Sequence, residues 1–534
     1  MQDRRRNLLD GVVAGSLATA ISFFLRVTVG GPFLPEIAAQ TVFSLTPGQI
    51  QSIMVETLGS LAKYLTIVGA AIVNVAVYGL VGAASRNQMT GSRVMIGLRL
   101  TGLSFLVTLL LSVPFLLLSE VLTQPTSIQL LAAFLLPPSF AFGFTFSSLH
   151  PANQTKPRLV GCKPNVEQGR GFREKRRLII RTAPAGAVAA ALVVFGLGSL
   201  FSERRPTESP ASPAKVTAAR GLFSDPSLKS LVQSEITPNE LFYRVDVNVI
   251  SPKVDPNQWR LVVKGLVNTA LEVSYQELES MPAVEEYATL ECISNEVGGD
   301  LISTALWRGV RLRDILEKAG ARPEATYVVF RCSDGYHVGI PLERALLDGT
   351  ILAYRMNGEV LPEEHGFPLR VVVPGLFGMM NAKWVKEVEV VSEEYLGFWQ
   401  KKGWSNKAEY QTHSTIVTPG YSSAAIRFRG LERTGSLRQG RNVVAGFAFA
   451  GDRGISKVEV SIDGGETWEE ASVKDPLSGY TWVLWAAEWN PSERGQYRLM
   501  VRATDKTGNI QAAVIRSPFP SGATGYHVVD IKVE

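Results

Sequence analysis

LECISNEVGGDLISTALWRGVRLRDIL, residues 290–316, is the stretch on which the reading of the whole chain turns. An apolar lead-in, Ala288 and Leu290, delivers Cys292 into the turn-forming residues Ser294, Asn295, Gly298 and Gly299. The apolar periodicity of a helix then begins near Leu312. This places the thiol where a strand passes into a loop, a position from which scaffolds present functional side chains. Locally, Cys292 reads either as a small buried hydrophobe, the usual fate of a lone cysteine, or as a ligand. Residues elsewhere must decide.

A chain of 534 residues exceeds one compact core and implies several domains. Hydrophobic residues make up 46%, yet the charged residues concentrate after residue 200, so an apolar front is joined to an ordinary soluble remainder. Cys162, Cys292 and Cys332 show no C-x-x-C spacing, which argues against an iron–sulfur cluster or a cysteine-rich zinc site, and five histidines leave little for haem. Much of the net charge of +5 lies beside hydrophobic spans, where topology explains it, so nucleic acid is discounted as a partner.

Five apolar stretches, 9–29, 61–81, 100–121, 128–148 and 179–200, match the roughly 20 residues a bilayer crossing takes. Arg4, Arg5 and Arg6 precede the first, Arg86, Arg93 and Arg99 lie around the start of the third, and nine basic residues occupy 156–181. No Lys or Arg occurs in 30–60 or 119–127. By the positive-inside rule the N-terminus is then cytoplasmic and everything after residue 200 extracytoplasmic, on a multi-pass membrane protein. Arg26 and Lys63 lie near span ends, where long cationic side chains snorkel to the interface. The only histidine of this part, His150, leaves no pair of axial ligands for an intramembrane haem. The fifth span opens Lys175-Arg176-Arg177-Leu178-Ile179-Ile180-Arg181, which resembles a twin-arginine export signal; the pair alone suits a cytoplasmic helix end, and the apolar residues and Arg181 after it favour export.

The expected organisation is a five-helix transmembrane region (1–201), a Pro- and Ser-rich linker (202–218), an α+β domain (219–404) and an all-β domain (405–534). In the third, β-branched runs at 259–263, 327–330 and 369–373 alternate with helical patches at 312–318 and 341–347. In the fourth, Val458, Val460 and Ile462 alternate with polar residues before Asp463-Gly464-Gly465 turns the chain, and Tyr497, Leu499, Val501 and Ala503 alternate likewise. Such runs suggest an immunoglobulin-like sandwich held by core packing alone.

Within Phe367-Pro-Leu-Arg-Val-Val-Val-Pro-Gly-Leu-Phe-Gly378, Arg370 interrupts a strand apolar enough to be buried, and a buried charge needs a partner. Gly375 and Gly378 admit close backbone approach, and Lys383 follows beside Asn381. Two cations with glycine-rich backbone suit a phosphate; an internal salt bridge is the alternative. His365 and Asp334 are each compatible with an ordinary turn.

Together LECISN, ISTALWRGVRLRDIL, MNGEVLPEEHGFPLRVVVPG, NAKW and KVEVSIDGGETW resemble the sulfite oxidase family of molybdopterin enzymes, from Phe242 to the C-terminus. The resemblance implies a sulfite-oxidase-like molybdopterin domain in which Cys292 is the metal ligand of Mo-molybdopterin. It implies further that Tyr243, Arg244, Cys332, Asp334, His365, Arg370, Asn381, Ala382 and Lys383 hold the pterin and its phosphate. Tyr395 matches the family's active-site tyrosine loosely and equally reads as a sheet-edge aromatic. True sulfite oxidases follow the metal cysteine with Asn-Arg-Arg, whereas Asn295 is followed here by Glu296 and Val297. The implied activity is two-electron oxygen-atom transfer on a small substrate less anionic than sulfite, such as an S-oxide, an N-oxide or a related oxyanion. With no haem or iron–sulfur relay expected in the chain, electrons pass to or from a separate partner: a quinone, a cytochrome or a membrane subunit. The last domain implies a homodimer. The alternative is a non-catalytic pterin-binding sensor or accessory subunit of a membrane redox complex.

Overall fold

The computed structural model describes residues 2–29, 33–46, 61–85, 92–118, 126–149, 216–218, 221–247, 251–419 and 436–534. Four of the five expected spans are helical: Gln2–Val29, Leu61–Ala84, Arg93–Leu118 and Thr126–Leu149. The fifth, with the paired arginines, lies outside the described residues. A further helix, Leu34–Leu45, occupies what the sequence suggested was an outer loop. Among the described residues only Asn7–Arg26 and Leu65–Ala84 are long and apolar enough to cross a membrane, and Val94–Leu110 is apolar but shorter. Among the described residues two candidate spans thus stand where the sequence suggested four. The third and fourth helices are continuous, the fourth through Pro137 and Pro138, but the side chains of 111–118 and 126–134 lie outside the described residues.

Ala14, Ala18, Tyr78, Leu100, Phe142 and Phe146 form the buried centre of these helices. Gly15 allows the first two to close, since a Cβ there would come within 2.4 Å of the Tyr78 Cβ. Arg26 does not snorkel: its Nε donates to Glu36 Oε2 at 2.7 Å, so the helix at 34–45 supplies the counter-charge.

The α+β part holds two five-stranded sheets. One runs Arg370–Val372, Ile351–Met356, Ile302–Arg311, Val284–Glu291, all antiparallel, with Glu359–Val360 appended. The other runs Leu271–Ser274, Arg260–Gly265, Val385–Val391, Tyr327–Cys332, His337–Pro341, with one parallel pair where Val385–Val391 meets Arg260–Gly265. Helix Leu312–Ala319 buries Leu312, Ile315, Leu316 and Ala319, the i, i+3, i+4, i+7 face, and ends at Gly320 in the left-handed region (φ 69°).

The all-β part is two further five-stranded sheets sharing one core. Val458, Val460 and Ile462 are inside, as are Tyr497, Leu499, Val501 and Ala503, so the period-2 pattern set the facing correctly. Asp463 anchors the following turn by accepting from the backbone N–H groups of Glu466 and Thr467, both at 3.0 Å. Val216–Thr217, inside the expected linker, instead pair with Trp489 and Glu488 as an edge strand of this sandwich. The two soluble parts are joined by buried contacts: Trp482 donates its indole N–H to Glu235 O at 3.1 Å, and Tyr410 lies 4.8 Å, ring to ring, from both Phe377 and Phe449.

Candidate active site

Cys292 is the first residue of the loop that closes the hairpin Val284–Glu291 and Ile302–Arg311, whose last pair is Glu291 opposite Ile302. The loop is held from its own side chains. Asn295 accepts from Leu301 N–H at 2.9 Å and donates to Glu291 Oε1 at 2.9 Å, while Glu291 Oε2 meets His413 Nε2 of the sandwich at 3.1 Å. Cys292 Sγ lies 3.0 Å from Ser294 Oγ. The thiol is thus presented by a loop that Asn295 and Glu291 hold in place.

It opens into a cavity of about 1020 Å³ of empty space, counted into its mouth, which Tyr243, Asp246, Asp334, Tyr336, Arg370, Met379, Asn381, Ala382, Lys383, Trp384, Trp399 and Trp404 also line. Seven sequence-derived candidates therefore converge: Tyr243, Cys292, Asp334, Arg370, Asn381, Ala382 and Lys383.

The two cations differ. Lys383 is paired with Asp246 and also donates to Glu364 O at 3.0 Å, so for it the salt-bridge alternative holds. Arg370 is 5% exposed, its guanidinium 5.2 Å from the Trp307 ring centroid; its Nη1 donates to His365 O at 3.3 Å, and its Nε has no partner. Burial lowers its pKa to about 10. A guanidinium buried without a carboxylate is poised for an anion that the polypeptide does not supply. Of the two glycines expected to approach a ligand, Gly378 borders the cavity, but Gly375 (φ 87°) serves packing: a Cβ there would lie 2.7 Å from the Asp452 carboxyl carbon.

Other candidates prove to be supports. The Asn381 side chain is fully engaged, accepting from Val373 N–H at 2.6 Å and donating to Leu376 O and Phe377 O at 3.1 Å, which shapes the loop beneath the cavity. Asp334 accepts from Tyr336 N–H at 3.0 Å, and burial pushes its carboxyl up to about 6. Cys332 ends a strand inside the main core, outside the cavity lining, and burial raises its thiol pKa. Arg244 sits beside the cavity with its side chain 42% exposed, bonded to Asp246 at 2.5 Å. Tyr395 is a correction: its hydroxyl lies 3.0 Å from His337 Nδ1 and its Cβ packs on Gly339, away from the lining, while the segment after it brings Trp399 and Trp404 to the cavity. Glu296 and Val297 are a second correction, lining a separate small crevice with Glu291 and His413. Sequence reasoning missed Asp246, Tyr336, Met379, Trp399 and Trp404; the two tryptophans five residues apart were the available signal.

His365 also lies outside the cavity lining. Its ring is 2% exposed, edge-on to Phe242 at 5.4 Å, and Nε2 lies 2.9 Å from Asn239 O, so the neutral ring donates there. Burial lowers its pKa from 6.5 to about 4. The unfolded chain therefore takes up this proton first, and the stabilisation, fully present above about pH 6.5, is lost as the pH falls through about 4. Asp334, shifted up, contributes a slope of opposite sign. The His365→Gln variant isolates the histidine: its deficit in urea midpoint relative to the parent should shrink between pH 6.5 and 4, by up to about 3 kcal/mol in free energy.

A thiol at a hairpin end and a buried guanidinium whose Nε has no partner border one cavity, an arrangement suited to an anionic cofactor with a soft metal. The matching family models describe such a class: "Oxidoreductase molybdopterin binding domain" over residues 248–399 and "Mo-co oxidoreductase dimerisation domain" over 406–534. The chain is 33% identical over 333 residues to the mitochondrial sulfite oxidase of Rattus norvegicus, covering 56% of this chain and 61% of that one. It is 30% identical over 364 residues to the sulfite oxidase of Arabidopsis thaliana, covering 58% and 91%. The sulfane dehydrogenase SoxCD of Paracoccus pantotrophus overlays with a TM-score of 0.49 at 21% identity, over 62% of this chain and 96% of that one. The chain belongs to the sulfite oxidase family. It spans about three fifths of the length of the mammalian relatives it matches.

The residues present fit molybdopterin. A soft thiolate suits molybdenum, and the unpartnered Arg370 Nε supplies the buried donor that a pterin phosphate requires.

Proposed function

We propose that the protein is a membrane-anchored molybdopterin oxidoreductase that carries out oxygen-atom transfer on a small substrate, an S-oxide, an N-oxide or a related oxyanion, outside the cytoplasmic membrane. The observation that carries this reading is the convergence of the Cys292 thiol and the buried, uncompensated Arg370 on one cavity. The bound cofactor would supply two-electron oxygen-atom exchange. Cys292 would hold the metal, and Arg370, with Lys383 once released from Asp246, would hold the phosphate. Asn381 would keep their loop in place, and the aromatic residues would exclude water from the reacting centre.

Anchoring is supported by the two apolar helices, whose outward side chains Phe24, Ile72 and Leu80 are more than 60% exposed, a pattern suited to lipid. Basic residues at 156–181 on the cytoplasmic side, with the apolar stretch 179–200 crossing after them, favour the soluble domains, 219–404 and 405–534, lying on the outer side. A homodimer is supported by the dimerisation-domain match together with the exposed apolar Ile510, Val514 and Ile515. Electrons would be exchanged with a separate partner.

The test is elemental and pterin analysis of the protein purified from membranes. About one molybdenum and one pterin per chain are expected, since one cysteine ligates one metal. A detergent-extracted protein with neither would refute the proposal.

A further inference from the structure

Among the described residues, only two buried side-chain atoms without a hydrogen-bond partner belong to residues that line the Cys292 cavity: Arg370 Nε and Trp404 Nε1. Trp485 and Trp489 also lack acceptors, but they lie in the sandwich core. Arg370 is accounted for by an anion. Trp404 needs a different partner, because an indole N–H is a neutral donor with no acceptor capacity. It is 6% exposed, its ring is held edge-on against Phe519 at 5.2 Å, and its backbone N–H donates to Trp399 O at 3.3 Å. The ring is fixed and its donor unsatisfied, a costly arrangement unless a ligand completes it.

The surrounding wall limits what that ligand can be. No cation besides Arg370 and Lys383 lines the cavity among the described residues. Ile293, Met379 and Trp399 offer apolar surface, and the Tyr336 hydroxyl is already spent on Met379 O at 2.7 Å. A dianion with three charged oxygens would leave most of its acceptors unsatisfied against such a wall. One strongly dipolar oxygen flanked by small apolar groups would match it.

Resting on the reading of this cavity as a substrate site, we propose that Trp404 is its specificity-determining residue, its indole N–H donating to the single oxygen of a neutral S-oxide or N-oxide. The ring positions the substrate; it takes no part in bond making. The experiment is calorimetric titration of the oxidised holoenzyme, which has no electrons to give, with dimethyl sulfoxide and trimethylamine N-oxide, and titration with sulfite of the viologen-reduced holoenzyme, which cannot oxidise it. It is repeated on Trp404→Phe, which keeps the ring and removes the donor, and on Trp404→Tyr, which returns a donor.

Both oxides should bind the Phe variant about five- to tenfold more weakly, the scale of one hydrogen bond, with part of the loss recovered in the Tyr variant. Sulfite should bind the parent at least about tenfold more weakly than either oxide. With reduced viologen as donor, KM for the oxide should rise by the same factor while kcat stays within about twofold, as lost uniform binding requires. A Phe variant that binds both oxides like the parent, or a parent that prefers sulfite, overturns the proposal. A purified protein free of molybdenum whose oxide binding still depends on Trp404 would instead sink the redox function and leave this assignment standing.

Discussion

Replacing Cys292 by serine is expected to lower kcat by more than about 100-fold, because even the outer partners of metal ligands cost 10- to 100-fold when removed. Serine is nearly isosteric, but its oxygen is a hard, weakly acidic donor where molybdenum calls for a soft thiolate. The fold should tolerate the exchange. The loop that carries Cys292 is shaped by Asn295 bridging Leu301 and Glu291, and by Glu291 meeting His413, not by the thiol. Its neighbour Ser294 Oγ can bond a serine hydroxyl as it does the sulfur. The thermal midpoint should therefore hardly move, and pterin content should persist through Arg370. Pterin analysis and steady-state rates on the same preparation check this together. Near-normal turnover in the Cys292→Ser protein would show that the metal is held elsewhere.

Strand facing was legible because a period of two leaves no choice of face: Val458, Val460 and Ile462 could only enter the sandwich core together. Arg370 was legible because a charge inside FPLRVVVPG contradicts its surroundings, and it proved to be buried. Cys292 was placed correctly at a strand end, although strand Ile302–Arg311, which fixes the hairpin, was not singled out. What the sequence could not resolve was which way a polar side chain points at the close of a turn. Asn381 borders the cavity yet spends its amide on its own loop, Cys332 ends in the core two residues before Asp334, and His365 turns to Asn239 five residues before Arg370. Tyr395 and Trp404 show the same limit at longer range. Which of two nearby aromatics reaches the cavity is settled by Tyr395 packing on Gly339 and Trp404 on Phe519 of the sandwich, contacts made across the fold. Hydropathy located helices at four of the apolar stretches but could not reveal that Leu34–Leu45 is helical and supplies Glu36 to Arg26.

Arg370→Met should separate folding from function with opposite signs. In the cofactor-free protein Arg370 is a buried cation with a carbonyl of His365, the Trp307 face and, among the described residues, no carboxylate paired with it. Removing such a charge for a flexible apolar side chain of similar volume should leave stability unchanged or raise it, by about 1–4 kcal/mol, the range seen when buried ionic groups give way to hydrophobic ones. With cofactor the balance reverses. The phosphate would lose its buried, charge-assisted donors and face an apolar wall, while Lys383 alone remains and must first leave Asp246. Pterin retained through gel filtration should then fall at least about tenfold, corresponding to the loss of one or more charge-assisted hydrogen bonds. Urea unfolding of protein made without molybdopterin, set beside pterin content of protein made with it, reads both signs. If the methionine variant were instead less stable without cofactor, Arg370 would be a structural cation with a partner inside the protein. If it kept its pterin, the phosphate would not be bound at this end of the cavity.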